Sequence, residues 1–94
     1  MSEEWKPIQG YEGKFWISNR GNVKDRCKTL TTYYNSKYLQ VHLGRGGPPY
    51  IHRLVANAFV ENPYKRRVVV HKDGNIFNNC YTNLAWAKYS GSLT

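Results

Sequence analysis

One amphipathic stripe does most to limit what this chain can fold into. Ile51, Leu54, Val55, Ala58 and Phe59 recur at i, i+3, i+4, i+7 and i+8, while Arg53, Asn57 and Glu61 lie off the stripe. That spacing is one face of an α-helix. Asn62-Pro63 is the predicted stop, because a residue before proline avoids the α region. Elsewhere turn residues cut the chain into short pieces. Phe15 to Ile17 and the segment from Val23 are strand formers flanking the turn residues Ser18 to Asn22, which predicts a β-hairpin turning at Asn19–Gly21. Leu39, Val41 and Leu43 alternate on one face of a half-buried strand, which Gly44 to Pro49 stops, and Tyr50 to His52 is a candidate returning strand. Arg67 to Val70 and Asn83 to Trp86 read as two further strands, with an Asp-Gly turn after the first. Residues 5–13, with one proline and two glycines, read as an ordered loop. Residues 27–36 show no period. The predicted class is therefore α+β, short β-hairpins plus one main helix, in 94 residues.

Charge decides the class of partner. Fourteen Lys and Arg stand against six Asp and Glu, a formal +8. Residues 1–29 carry net +2 and residues 30–94 net +6. The second part is thus the expected polyanion-facing surface, with Lys65-Arg66-Arg67 its densest cluster. Aromatics at 15% argue against a disordered basic tail. No apolar run approaches the roughly 20 residues that span a bilayer. The N-terminus lacks a secretory pattern, so a cytoplasmic location is expected and a membrane partner is not. Cys27 and Cys80 form no Cys-x-x-Cys pair, so the expectation is two reduced thiols and no structural zinc.

Val68 to Trp86 places a histidine at a strand end, a tight turn, several amides and a second strand. Here the sequence resembles the HNH endonuclease family. It is most similar to phage and intron homing endonucleases in which a small nuclease-associated module precedes the HNH domain. The module is matched by Glu4 to Gly13 and Trp16 to Lys24. The nuclease part is matched by Ile51 to Phe59, His71 to Asn75, Asn78-Asn79 and Asn83 to Trp86. The resemblance divides the chain into a module at 1–29 and an HNH-like nucleic-acid-binding domain at 30–94, packed as one unit.

That resemblance implies a ββα-metal unit, two strands and a helix clasping one divalent cation. It implies that His71 is the general base on the attacking water, with Asn83 bracing the loop. Its cofactor would be Mg²⁺ or Mn²⁺ if the chain is active. Two positions depart from the pattern. The residue before the histidine is Val70, where an Asp would ligate the metal. The last ligand of the family lies on the helix after the tryptophan, where this chain has Lys88 to Ser92 and no Asn or His. The ββα unit therefore reads as incomplete and the metal ligands as lost. Asp73 is a substitute carboxylate in principle, though its Asp-Gly position reads as turn chemistry.

Arg45, Arg53, Lys65, Arg66, Arg67 and Lys72 are the candidate phosphate contacts. His52 reads as structural and His42 as exposed. Trp5, Trp16 and Trp86 read as core, and Asn75, Asn78, Asn79 and Asn83 as turn residues. Tyr33, Tyr34 and Tyr38, interleaved with lysines, are candidate base-stacking residues. The functional expectation is a phage-derived DNA-binding protein of this family with cleavage weak or lost. One alternative is an active Mg²⁺- or Mn²⁺-dependent nicking enzyme. A second is a phage inhibitor binding a host protein. A homo-oligomer that completes the site from a neighbouring chain is a further option.

Overall fold

The computed structural model describes residues 2–44 and 47–87. Three antiparallel sheets surround one helix. The first sheet joins β1 (Trp5–Pro7), β2 (Trp16–Ser18) and β3 (Val23–Lys24), with β2 central. The second pairs β4 (Tyr33–Tyr34) with β5 (Leu39–Gln40). The third pairs β6 (Val68–His71) with β7 (Leu84–Ala87), Val70 opposite Ala85 and His71 opposite Leu84. The helix α1 spans Ile51–Phe59.

The hairpin turning at Asn19–Gly21 forms as expected. Trp5–Pro7, expected as loop, is instead the edge strand of that sheet. Proline is tolerated there because an edge position needs no ladder donor on its outer side. The unplaced segment contributes Tyr33–Tyr34 to the second hairpin, whose returning strand is Leu39–Gln40. Tyr50 to His52 is not a returning strand. Tyr50 makes a single bridge to Gln40, and Ile51 and His52 open the helix. The helix ends three residues before Pro63. Val60 is already extended, and its carbonyl accepts the indole N–H of Trp86 at 3.2 Å. A further helical turn would aim that carbonyl elsewhere.

The helix stripe organises the core. Ile51, Val55 and Ala56 are fully buried against Ile17 and Val23 of the first sheet, Val41, and Leu84 and Trp86 of β7. Trp86 belongs to this core as expected. Trp5 and Trp16 are only half-buried, and Lys24 Nζ lies 4.3 Å from the Trp5 ring centroid. A three-residue strand cannot cover both faces of an indole, and the Lys24 ammonium sits over one as a cation–π contact. The expectation that the helix after β7 is short or missing falls on residues 88–94, outside the described residues, as do Arg45 and the non-ligand position Ser92. Among the described residues no helix is long and apolar enough to cross a membrane.

Candidate active site

β6 delivers His71 to the start of a loop that returns through the short 3₁₀ turn Tyr81–Asn83 to β7. Gly74, at φ +75°, makes the turn that lets its N–H reach the His71 carbonyl at 3.0 Å. The loop is held from inside by amides. Asn83 is buried, and its Nδ2 donates to Asp73 Oδ1 at 2.8 Å and to the Asn78 carbonyl at 2.9 Å. Its Oδ1 accepts the Asp73 N–H at 3.1 Å. Its backbone carbonyl accepts the Lys72 N–H at 2.7 Å. Asn83 thus ties the two ends of the loop together through its side chain and backbone.

Asp73 is the acceptor at the centre. Its Oδ1 also accepts the Asn75 N–H at 2.8 Å, and its Oδ2 accepts Asn78 Nδ2 at 3.1 Å. These donors, the Asn75 amide foremost and then Asn83 and Asn78, hold its carboxyl below the usual carboxylate range. Both oxygens are committed to the loop, as turn chemistry required.

His71 is half-buried, and its Nε2 lies 2.8 Å from Asn79 Oδ1. An amide oxygen only accepts, so this pairing places the proton on Nε2 and leaves Nδ1 as the basic nitrogen. Asn79, read from the sequence as a turn residue, is buried and orients the ring. Nothing in its local pattern distinguishes it from Asn78, because its partner lies eight positions back on another element. The ring of His71 also faces an aromatic cluster. Tyr38 stacks on it at 6.1 Å between centroids, and His52 lies 5.1 Å away. His52 in turn touches Tyr38 at 4.6 Å and Tyr50 at 5.4 Å. Burial, with the His71 and Arg53 charges adding to it, pushes the His52 pKa down to about 4, so its ring is neutral near pH 7. The sequence placed His52 correctly as structural but did not place it against His71.

A divalent cation of the Mg²⁺ type needs several oxygen ligands in near-octahedral array. Beside His71 stands the aliphatic Val70, and the Asp73 oxygens accept from three N–H donors of the loop. Among the described residues no three His, Cys, Asp or Glu side chains converge as a metal site. The described residues therefore do not fit the cation, and no catalytic step is derived through it.

The basic residues fall into two groups. Lys72 is exposed beside His71. Lys65 to Arg67 sit on the loop after the helix, which Asn62 clasps: its Oδ1 accepts the Arg66 N–H at 2.8 Å and its Nδ2 donates to the Arg66 carbonyl at 2.7 Å. Lys65 takes φ +52° inside this clasp. Arg66 rests on the Tyr64 ring, and its buried Nε has no hydrogen-bond partner among the described residues. Arg53 joins helix to loop, donating from Nη1 to the Arg67 carbonyl at 2.7 Å while its guanidinium lies 5.9 Å from the Trp86 ring centroid.

Removing the brace should be costly. Asn83→Ala leaves the Asn78 carbonyl without its donor and frees the Asp73 carboxylate, at about 2–3 kcal/mol of stability. Chemical denaturation should show the loss, and hydrogen exchange should show the loop amides of Asp73 and Asn75 unprotected. A variant as stable as the parent would refute the bracing role.

Comparison with known proteins identifies the family. Residues 3–52 match the family model described as the NUMOD4 motif. The chain is similar to the DNA endonuclease I-HmuI of Bacillus phage SP01, 42% identical over 89 residues that take in 88% of this chain and 51% of that protein. It is also 36% identical over 94 residues to the uncharacterized HNH endonuclease L245 of Acanthamoeba polyphaga mimivirus, covering 95% of this chain and 28% of that one. The solved structure titled DNA binding and cleavage by the HNH homing endonuclease I-HmuI superposes with a TM-score of 0.81 at 42% identity, covering 89% of this chain and 52% of that one. The chain thus spans about half the length of the phage relative and about a quarter of the mimivirus one. With matching motif, order and superposed fold, the chain belongs to the HNH homing-endonuclease family that carries the NUMOD4 motif.

Proposed function

We propose that this chain binds double-stranded DNA through the HNH scaffold and that its own metal-dependent phosphodiester cleavage is weak or lost. The observation that carries this reading is Val70 beside an intact His71–Asn79 pair. The base is retained while the neighbouring ligand position cannot coordinate. The N-terminal module at 1–29 and the HNH-like part at 30–94 act as one DNA-facing unit in this reading. In this reading the side chains that face phosphate are those of Arg45, Arg53, Lys65, Arg66, Arg67 and Lys72. The setting would be the cytoplasm of a bacterial host, for a phage-derived protein.

Binding to a duplex should weaken linearly in log affinity against log salt. Replacing Lys65, Arg66 and Arg67 together by Ala should cut that slope by about 2–3, since each phosphate contact contributes roughly 0.9. Fluorescence anisotropy over a salt series reads this directly. Affinity indifferent to salt would overturn DNA as partner and favour a host protein.

The retained base geometry favours a second reading, an active nicking enzyme that uses Mg²⁺ or Mn²⁺ and His71. A supercoiled plasmid incubated with either ion separates the two readings. No cleavage above that of His71→Ala is expected, and Val70→Asp alone should restore little. Clear nicking by the parent chain, abolished in His71→Ala, would establish the second reading.

A further inference from the structure

Two of the three exposed large apolar side chains among the described residues meet each other. Tyr34 is 54% exposed and Phe77 58% exposed, with ring centroids 5.4 Å apart. They come from different places: Tyr34 from strand β4, Phe77 from the loop between His71 and Asn83. The seam they form runs beside the candidate active site, because the same hairpin sends Tyr38 onto the His71 ring.

The Phe77 loop is stiff. The Phe77 N–H donates to Asn75 Oδ1 at 3.0 Å, and the Asn78 N–H to the Asn75 carbonyl at 3.0 Å. Asn78 and Asn83 then tie the loop to Asp73. So Phe77 does not stand out because its backbone is loose. A hydrogen-bonded turn holds an apolar ring in water, flanked by a second ring. Lys37, at the turn of the Tyr34 hairpin, and Lys72, beside His71, are both exposed. An exposed apolar tip on a chain of +8 suits a polyanion with an apolar interior.

We infer that Phe77, backed by Tyr34, is a wedge that enters between stacked base pairs of duplex DNA next to His71. Proteins that insert apolar side chains at a base step unstack it partly and bend the duplex. The backing ring would keep Phe77 upright as it enters, and the flanking lysines would hold the two phosphate strands. This inference rests on the DNA-binding reading above, and deepens it by naming how the duplex is held at the site.

The test uses the full chain and two 30-base-pair duplexes of the same sequence set, one fully paired and one with a single central mismatch. Unstacking at a mismatch is already partly done, so a wedge prefers it. The parent chain should bind the mismatched duplex about tenfold more tightly, because part of the unstacking is already done there. A 2-aminopurine beside the mismatch should brighten on binding. Phe77→Asp should bring the ratio to about one, and Phe77→Trp should keep it. Both variants should melt like the parent, because the side chain is mostly exposed. Replacing Lys65, Arg66 and Arg67 by Ala should lower both affinities and leave the ratio. Equal binding of the two duplexes by the parent chain overturns the wedge but leaves DNA binding standing. Binding to neither duplex overturns both.

Discussion

Gly21→Ala should lower the melting temperature by about 15 °C. Gly21 sits at φ +91°, where an L-residue costs roughly 1–2 kcal/mol. A Cβ there would also lie 2.9 Å from Asn79 Cβ, 3.4 Å from the Asn79 carbonyl oxygen and 3.5 Å from Ile51 Cγ2. Overpacking of this kind adds about 1–3 kcal/mol. Near 3 kcal/mol in all, at about 4–8 °C per kcal/mol for a domain of this size, gives the expected shift. Gly10→Ala is the control. Gly10 has φ +89° but open space around its Cβ, so it should show only the backbone share, about 5 °C. Equal shifts in the two variants would rule out a steric lock at Gly21. The lock has a consequence at the site, because Asn79 is the residue that orients His71. In the nuclear magnetic resonance spectrum the His71 ring signals should move in Gly21→Ala and stay in Gly10→Ala. The first hairpin would thereby be shown to set the geometry of a residue 50 positions away.

Acidification should unfold the chain through His52. Its folded pKa is about 4 against 6.5 in its ordinary state. Between those values the unfolded chain binds the extra proton, so stability rises with pH across the window and falls as pH drops from about 6.5 to 4. The loss should approach about 3 kcal/mol, a large part of the stability of so small a domain. Asp73, whose folded pKa is lowered, adds a loss of the same sign only once pH falls below the usual carboxylate value of 3.8. Denaturant unfolding at pH 7 and pH 4.5 measures the difference. In His52→Gln the drop over that interval should shrink to a small remainder, although the variant starts less stable. An unchanged drop would place the acid sensitivity on another group.

Residue patterns that are local in sequence translated well into structure. The stripe from Ile51 to Phe59 became the helix because its period is that of a helix face, whatever it packs on. The Asn19–Gly21 turn and the Asp73-Gly74 turn formed because those residues favour left-handed or turn backbone by themselves. Leu84 to Ala87 and Val68 to His71 paired as two short strands rich in strand formers. The trouble came with segments whose state depends on a partner. Trp5–Pro7 has no strand signal of its own, and becomes a strand because Ser18, Ile17 and Trp16 stand opposite it. Tyr33–Tyr34 is a strand because Gln40 and Leu39 face it. Val60 leaves the helix before the proline because Trp86, 26 positions later, takes its carbonyl.

The same division holds at the candidate site. His71, Asn83, Val70 and the basic cluster at Lys65 to Arg67 were legible one residue at a time. A histidine at a strand end, a brace, a missing ligand and a run of charge are each visible as residue type and position. The sequence by itself thus marked the family, the helix and the aliphatic Val70 ahead of His71. Only the tertiary structure decided that Asn79 orients His71, that His52 is buried against it, that Gly21 packs on Asn79, and that Tyr34 meets Phe77. Each of those joins residues distant in the chain through a contact of a few ångströms. Contacts of that range depend on how the hairpins dock around the helix, and the docking follows from burying one shared core rather than from any local pattern.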